Sequence, residues 1–266
     1  MIRNVTLGCD PELFLVDAQG KFIASCDKVG GTKEAPLQIA GLAQGFAVQE
    51  DNVAVEFCVP PAASKQVFVG NVSLVMAEID KQFIAPLSLK LAFGVSSKQF
   101  DEDQLQSQKA KTFGCDPDFN VYRNEMNPRP EGREGLRTAG GHIHFGYDQP
   151  TDESRALLVR AADICLGLPS LFLDDDTERR TMYGKGGAFR PKAYGVEYRT
   201  LSNFWVRSPE LIAWAYDAAM QAVDLANSKA IQLLKVDVAK MVEMAINTNN
   251  KKLAEAQMKR FGIVLP

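Results

Sequence analysis

The sequence predicts an α+β fold with a sheet that carries polar groups on one face. Short strand-like runs separated by turns fill the N-terminal part of the chain. An amphipathic stripe begins near residue 64, and roughly the last 55 residues look helical throughout. Four strand-like segments place polar or ionisable side chains two or four residues apart, which puts them on one side of each strand.

Composition restricts the class of protein. The chain has 266 residues, of which 46% are hydrophobic and 24% charged, so it can bury a large core. One domain spanning residues 1–266 is preferred over a tandem pair. The net charge of −3 does not favour a nucleic-acid binder. The five scattered cysteines form no CxxC pair, and we find neither a signal peptide nor an apolar run of membrane-spanning length. A reduced, cytoplasmic protein that does not bind membranes is therefore expected.

The strands and helices are predicted in chain order. Residues 12–17 and 21–25 form a hairpin, and residues 46–59 contain a strand with Val53, Val55 and Phe57 on one face and Asn52 and Glu56 on the other. Helices are predicted from Ser64 to Pro86, over 151–168, and from Ser208 into a helical C-terminal part at 208–266; residues 88–95 are strand-like. The polar segment 96–111 is either a loop or a solvated helix.

One internal echo stands out, since GCDP followed by an acid occurs at residues 8–12 and again at 114–118. A duplicated half-domain is one explanation, and two similar entries from a loop into a strand are the other.

Both histidines of the chain lie in one segment, RTAGGHIHFGY, as His142 and His144. On a strand their imidazoles project to the same face, and the preceding glycine pair allows a ligand to approach the backbone closely. Imidazole pairs suit metals and phosphates. The alternative is the exposed polar face of an ordinary strand.

Carboxylates are spaced in the same way elsewhere. Asp10 and Glu12 lie two residues apart, Glu56 lies on the strand after Asn52, and Glu197 lies two residues before Arg199. Clustered acids repel one another unless cations intervene, and oxygen ligands with one imidazole favour Mg²⁺ or Mn²⁺ over zinc. Solvated outer strand faces are the alternative.

Residues 174–199 hold the densest mixture of cations and glycine. Such a composition suits anionic oxygens of phosphate or carboxylate, and the cations are Arg179, Arg180, Lys185, Arg190, Lys192 and Arg199. A mobile surface loop with salt bridges is the alternative reading. The chain lacks the P-loop, GxGxxG, GxSxG, HExxH and protein-kinase signatures, which argues against those classes.

The ordered series GCDPELFL, DNVAVEF, GCDPDFNVY, GGHIHFG and YGVEYRTLSNFW resembles the phage-type COOH-NH2 (carboxylate–amine) ligases of the glutamine synthetase and glutamate–cysteine ligase superfamily. The resemblance covers about residues 8–205. It implies a curved, mainly antiparallel sheet with a polar concave catalytic face and helices packed on the other face, and it implies ATP and Mg²⁺ or Mn²⁺ as cofactors.

Residue roles follow from the same resemblance. The implied metal ligands are Asp10, Glu12, Glu56, His142 and Glu197, and His144 is the companion near phosphate. Arg199, Arg190 and Arg179 are the implied catalytic cations, and Arg180, Lys185, Arg190 and Arg199 are the implied nucleotide-binding ones. The choice between Arg179 and Arg180 stays open. Asp51 and Asp118 are guesses for the base that deprotonates the amine.

The implied activity joins a carboxylate to an amine through an acyl phosphate, with free small molecules, a peptide or a protein as substrate. A phosphotransferase of the guanidino-kinase type and a non-catalytic phage binding or structural protein are the alternatives. If the chain is phage-encoded, the host cytoplasm is its compartment. The larger relatives assemble into rings, so an oligomer is compatible with the resemblance.

Overall fold

The computed structural model describes residues 1–111, 118–128 and 133–266. The strands are β1 Thr6–Val16, β2 Phe22–Ile23, β3 Leu37–Gln38, β4 Ala47–Asp51, β5 Ala54–Cys58, β6 Lys90–Ala92, β7 Ser97–Gln99, β8 Phe119–Asn120, β9 Glu125–Met126, β10 Leu136–Thr138, β11 Gly141–Gly146, β12 Ala188–Lys192 and β13 Gly195–Tyr198. The α-helices are α1 Lys65–Ile79, α2 Gln108–Lys111, α3 Asp152–Ala162, α4 Leu168–Leu173, α5 Arg179–Met182, α6 Pro209–Ala226, α7 Lys229–Gln232, α8 Val236–Asn247 and α9 Lys251–Phe261.

The fold is α+β, as predicted, with a large open sheet. The main path of the sheet runs β3-β4-β5-β1-β11-β13-β12-β8-β9, and its neighbouring strands are antiparallel. The long strand β1 also pairs with β2 and β6 at its C-terminal end. The centre of the sheet is therefore β1, β11 and β13, and these strands carry three of the four polar motifs found in the sequence.

Alternation along β1 separates a helix-facing side from a polar side. Leu7, Cys9 and Leu13 are buried in the main core, whereas Asp10 and Glu12 point the other way. The main core is completed by helices, because Phe68 of α1 stacks on Trp205 and also contacts Tyr216 of α6, with ring centroids 6.0 and 5.7 Å apart. One face of the sheet is thus sealed by helices α1, α3 and α6, which leaves the other for the polar groups.

Most of the predicted elements are present. The first hairpin forms between β1 and β2, with Leu15 opposite Ile23, and the stripe from Phe68 to Ile79 is buried on α1. Ser208 caps α6, and helices α7 to α9 follow. Segment 96–111 contains β7, a 3₁₀ turn over Glu102–Leu105 and the short helix α2.

One face prediction is wrong. Asn52 lies in the turn between β4 and β5 with a φ of 56°, so it does not share a strand face with Glu56. Asparagine tolerates the left-handed conformation that this tight turn requires. The segment 46–59 therefore forms a hairpin of two strands rather than one strand.

The second GCDP string falls at residues 114–117, which lie outside the described residues. The strand that follows it, β8, has only two residues, whereas the first string lies inside the continuous strand β1.

Within the described residues, one helical segment is long and apolar enough to cross a membrane by length and composition alone. It runs over Asp152–Leu173, through α3, a π-helical turn and α4, and most of it is buried inside the protein. A buried core helix meets the same criteria of length and composition, so the segment is weak evidence for a membrane span.

Asp163, in the π-helical turn, links this helix to the sheet. Its carboxyl accepts hydrogen bonds from the Tyr198 hydroxyl at 2.7 Å and the Gly187 amide at 2.6 Å, and a weaker one from the Thr200 hydroxyl at 3.2 Å. Burial outweighs these hydrogen bonds and raises the pKa of Asp163 to about 7.

We predict that Asp163 makes the protein less stable as pH rises. The native state holds the Asp163 proton at pH values where the unfolded chain has released it, so the free energy of unfolding falls as pH rises from about 4 to about 7. Asp163→Asn removes this titration. Urea unfolding across that pH range should show a shallower decline for Asp163→Asn than for the wild type, and parallel curves would contradict the prediction.

Candidate active site

The register of the three central strands brings both histidines next to two acids. Asp10 of β1 lies opposite His142 of β11, and His144 of β11 lies opposite Glu197 of β13. All four side chains project to the face away from the helices, because they occupy alternate positions on their strands. Four residues that are far apart in sequence therefore meet at the middle of the sheet.

Both imidazoles turn towards Asp10. His142 Nδ1 lies 3.1 Å from Asp10 Oδ1, and His144 Nε2 lies 3.1 Å from Asp10 Oδ2. Burial would raise the pKa of Asp10, but the two imidazoles hold this pKa well below its ordinary value. Asp10 is thus kept as an anion between two nitrogen ligands.

Three of these residues form a candidate metal centre. Asp10, His144 and Glu197 each offer a ligand atom within 4.8 Å of the other two. His144 Nε2 is buried and makes no well-aligned hydrogen bond to the described residues, although it lies beside Asp10. Two carboxylates and one imidazole suit Mg²⁺ or Mn²⁺, so the side chains present here fit such an ion.

His142, the metal-binding histidine that the resemblance implied, lies beside this three-residue group. Its Nδ1 lies 3.8 Å from Glu197 Oε1 and 3.2 Å from Arg199 Nη1, and the side chain lines the neighbouring cleft. Burial, followed by the charge of Arg199, lowers the pKa of His142. The compact ligand group contains His144, while His142 lies between that group and the cleft.

Cationic side chains surround Glu197. Lys192 Nζ lies 2.7 Å from Glu197 Oε2, Arg190 Nη1 lies 3.5 Å from Oε1, and Arg199 donates a hydrogen bond to Oε1. Burial and Asp10 would raise the pKa of Glu197, but Arg199 and the two imidazoles lower this pKa to about 2. Glu197 is thus a buried anion that holds three cations at the candidate metal centre.

Asp118, the residue before strand β8, interacts with two of the arginines that contact Glu197. Its Oδ1 lies 2.5 Å from Arg199 Nε and 3.8 Å from Arg190 Nε. The side chain also lines the cleft. Asp118 thereby contacts both guanidinium groups, of which that of Arg199 lines the cleft.

Glu12 and Glu56 lie opposite each other on β1 and β5. Glu12 Oε2 accepts a hydrogen bond from the Gly140 amide at 2.7 Å, and Glu56 Oε2 accepts one from Gln49 Nε2 at 2.6 Å. Burial, followed by Asp51, raises the pKa of Glu12 to about 7, and burial with the neighbouring acids raises the pKa of Glu56 well above its ordinary value. These acids share the face of the candidate metal centre without being part of its three-residue ligand group.

A cleft opens beside this centre. Ionic groups line one part of it and apolar side chains another; the ionic residues include Glu12, Asp51, Asp118, Arg179 and Arg199, and the apolar ones Val53, Ala54, Leu136 and Met182. Such a mixture of ionic and apolar side chains is typical of the lining of a small-molecule site.

The structure separates Arg179 from Arg180. Arg179 lines the cleft, where its Nη1 donates to the Thr200 carbonyl at 3.2 Å. Arg180 instead packs inside, with Nη2 donating to Ser170 Oγ at 3.0 Å and lying 3.7 Å from Asp174 Oδ2. Arg179 is therefore the cation placed for a ligand, and Arg180 is not among the residues that line the cleft.

The glycine segment around Lys185 reaches the cleft only at Gly184, and the amides that follow it are bonded to the protein. Gly186 donates its amide to Asn247 Oδ1 of α8, and Gly187 donates its amide to Asp163. Lys185 Nζ donates to the carbonyls of Arg180 and Thr181. Because these donors already have protein acceptors, the segment does not form the phosphate cradle that its composition suggested.

Tyr194 is part of the site but was missed in the sequence. It lies in the turn between β12 and β13, and its hydroxyl lies 2.5 Å from His144 Nδ1. The only available signal was its position three residues before Glu197, which does not by itself indicate a contact with the other strand.

The absence of a side chain at Gly140 leaves room for the imidazole of His142. A Cβ at position 140 would lie 2.5 Å from His142 Nε2, so we expect Gly140→Ala to displace the imidazole. The expected cost is about 1–3 kcal/mol of stability, together with a large loss of activity. Gly70→Ala is the control, because a Cβ there meets no atom within 4 Å and alanine favours a helix. Wild-type activity in Gly140→Ala, measured alongside thermal unfolding, would contradict this role.

Part of the chain is similar to a known family. Residues 135–260 match the family described as phage phiEco32-like COOH.NH2 ligase-type 2. The predicted resemblance to phage-type COOH-NH2 ligases is thus confirmed over residues 135–260. This COOH-NH2 ligase match includes His142, His144, Glu197 and the arginines, whereas Asp10, Glu12 and Glu56 lie outside it. No curated protein matches the chain. The family description supports an enzyme that joins a carboxylate to an amine.

Proposed function

We propose that the protein is an ATP- and Mg²⁺-dependent carboxylate–amine ligase that works through an acyl phosphate. The observation that carries this proposal is the ligand group of Asp10, His144 and Glu197, placed beside a cleft that Arg179 and Arg199 line. The match to a COOH-NH2 ligase family supports the same reaction. We further propose a glutamine synthetase-like catalytic fold, formed as one domain that works in the cytoplasm.

The chemistry needs both parts of the site. A carboxylate is a poor acyl donor, so its oxygen attacks the γ-phosphorus of ATP, the bridging P–O bond breaks and ADP leaves. The amine nitrogen then attacks the acyl carbon, the C–O bond to phosphate breaks, and phosphate leaves as the amine proton is lost. A bound divalent ion would neutralise the developing charge of the transferred phosphoryl group.

The side chains of this chain have separate tasks in that reaction. Asp10, His144 and Glu197 would hold the ion, and Arg179 and Arg199 would orient the anionic oxygens in the cleft. Asp51 and Glu12 line the cleft as well, and burial raises the pKa of each, so either carboxylate is placed to accept the amine proton.

Trapping the activated carboxylate tests the proposal. Hydroxylamine, a small and strongly nucleophilic amine, should replace the natural amine and give a hydroxamate when ATP, Mg²⁺ and the correct carboxylate are present. When the carboxylate is labelled with ¹⁸O, one ¹⁸O atom should appear in the released phosphate. Hydroxamate formation without ATP, or phosphate without label, would contradict the acyl-phosphate route.

A further inference from the structure

The contact between Tyr194 and His144 has the geometry of an orienting hydrogen bond. The phenol oxygen lies 2.5 Å from His144 Nδ1, and the two rings stack with centroids 6.0 Å apart and planes 17° apart. The opposite ring nitrogen, Nε2, points to Asp10 at 3.1 Å. The phenol and the ligand group therefore hold the imidazole from its two sides.

The backbone around Tyr194 is fixed, so the phenol has a defined position. The Tyr147 amide donates to the Tyr194 carbonyl at 3.0 Å, and Gly195 pairs with Gly146 across β13 and β11. The Tyr194 side chain is 46% exposed, so its contribution to the buried core is small. A substitution that keeps the ring of Tyr194 and removes its hydroxyl would therefore leave the fold in place and change only the contact with His144.

We propose that Tyr194 is a positioning residue that fixes His144 with Nε2 aimed at the divalent ion. The inference rests on the metal centre in the proposed function. An imidazole that binds an ion through Nε2 has its lone pair there, so Nδ1 carries the proton and donates it to the Tyr194 oxygen. This hydrogen bond sets both the tautomer and the angle of the ring.

Tyr194→Phe tests the role, because it keeps the ring and removes the hydroxyl. Calorimetric titration with Mn²⁺ alone should show that Tyr194→Phe binds the ion roughly 10- to 100-fold more weakly than the wild type. The matched control is Tyr147→Phe, because the Tyr147 hydroxyl contacts Ser154 Oγ at 3.1 Å instead of a site residue. Equal Mn²⁺ affinity in Tyr194→Phe and the wild type would overturn the proposal.

A second measurement separates this proposal from the metal centre itself. The chain has two histidines, so ¹⁵N-histidine labelling gives a simple spectrum that a His142 variant assigns. With Mg²⁺, the wild type should show His144 protonated at Nδ1, and Tyr194→Phe should shift the His144 signals without moving those of His142. In the metal-free protein, the Nδ1 chemical shift of His144 should also differ between the wild type and Tyr194→Phe.

The outcomes are distinguishable. Failure of the wild type to bind Mn²⁺ would contradict the metal centre of the proposed function. A His144 spectrum that is identical in the wild type and in Tyr194→Phe would overturn the role of Tyr194, whether or not the ion binds.

Discussion

Replacing Glu197 with glutamine is expected to reduce ATP turnover at least about 100-fold while the protein stays folded. The substitution keeps the shape of the side chain but removes an anionic ligand from the group formed with Asp10 and His144. It also removes the charge that holds Lys192 and Arg199 in place. The loss should appear in ADP production and in Mn²⁺ affinity together.

Glu243→Gln provides the matched control for this loss. Glu243 also interacts with an arginine, since its Oε1 lies 3.5 Å from Arg123 Nε, but it belongs to helix α8 and is not a lining residue of the cleft. We expect near-normal turnover from this variant. ADP production by Glu197→Gln within a few-fold of the wild type would remove Glu197 from the metal centre.

The neighbouring arginines should respond in opposite ways. Arg179→Lys loses the planar guanidinium that faces the cleft, and we expect kcat/KM for ATP turnover to fall roughly 10³-fold. Arg180→Lys loses the hydrogen bond to Ser170 and the interaction with Asp174. It should cost about 1–3 kcal/mol of stability and leave turnover within a few-fold of the wild type.

Each of these variants is the control for the other, because both side chains are buried arginines that are adjacent in sequence. Turnover and urea unfolding of both variants give four values. A larger loss of turnover in Arg180→Lys than in Arg179→Lys would mean that the assignment of the two residues is reversed.

The periodic parts of the fold could be predicted from sequence. The stripe on α1, the Ser208-Pro209 start of α6 and the first hairpin follow local rules of spacing and capping, and the structure contains all three. The common face of Asp10 and Glu12, and that of His142 and His144, follows from alternation along a strand. These local rules reach only a few residues along the chain.

Strand order and register decide what local rules leave open. The sequence placed His142 and His144 on one face, but only the pairing of β11 with β1 and β13 puts Asp10 opposite His142 and Glu197 opposite His144. Composition indicated the glycine segment around Lys185 as a phosphate loop, yet the Gly186 amide donates to Asn247 of α8 and the Gly187 amide to Asp163. Tyr194 was missed because it contacts His144 on strand β11, which lies 50 residues earlier in the chain.

Measuring ADP and inorganic phosphate together, in the purified protein with ATP and Mg²⁺, tests whether the protein is an ATP-dependent ligase. Pools of carboxylates and amines would be added separately and then in combination. The ligase account predicts equal amounts of ADP and phosphate that rise only when both pools are present. ADP that accumulates without phosphate would indicate a phosphotransferase and contradict the account, and no ATP binding by calorimetry in the same buffer would exclude any ATP-dependent role for this site.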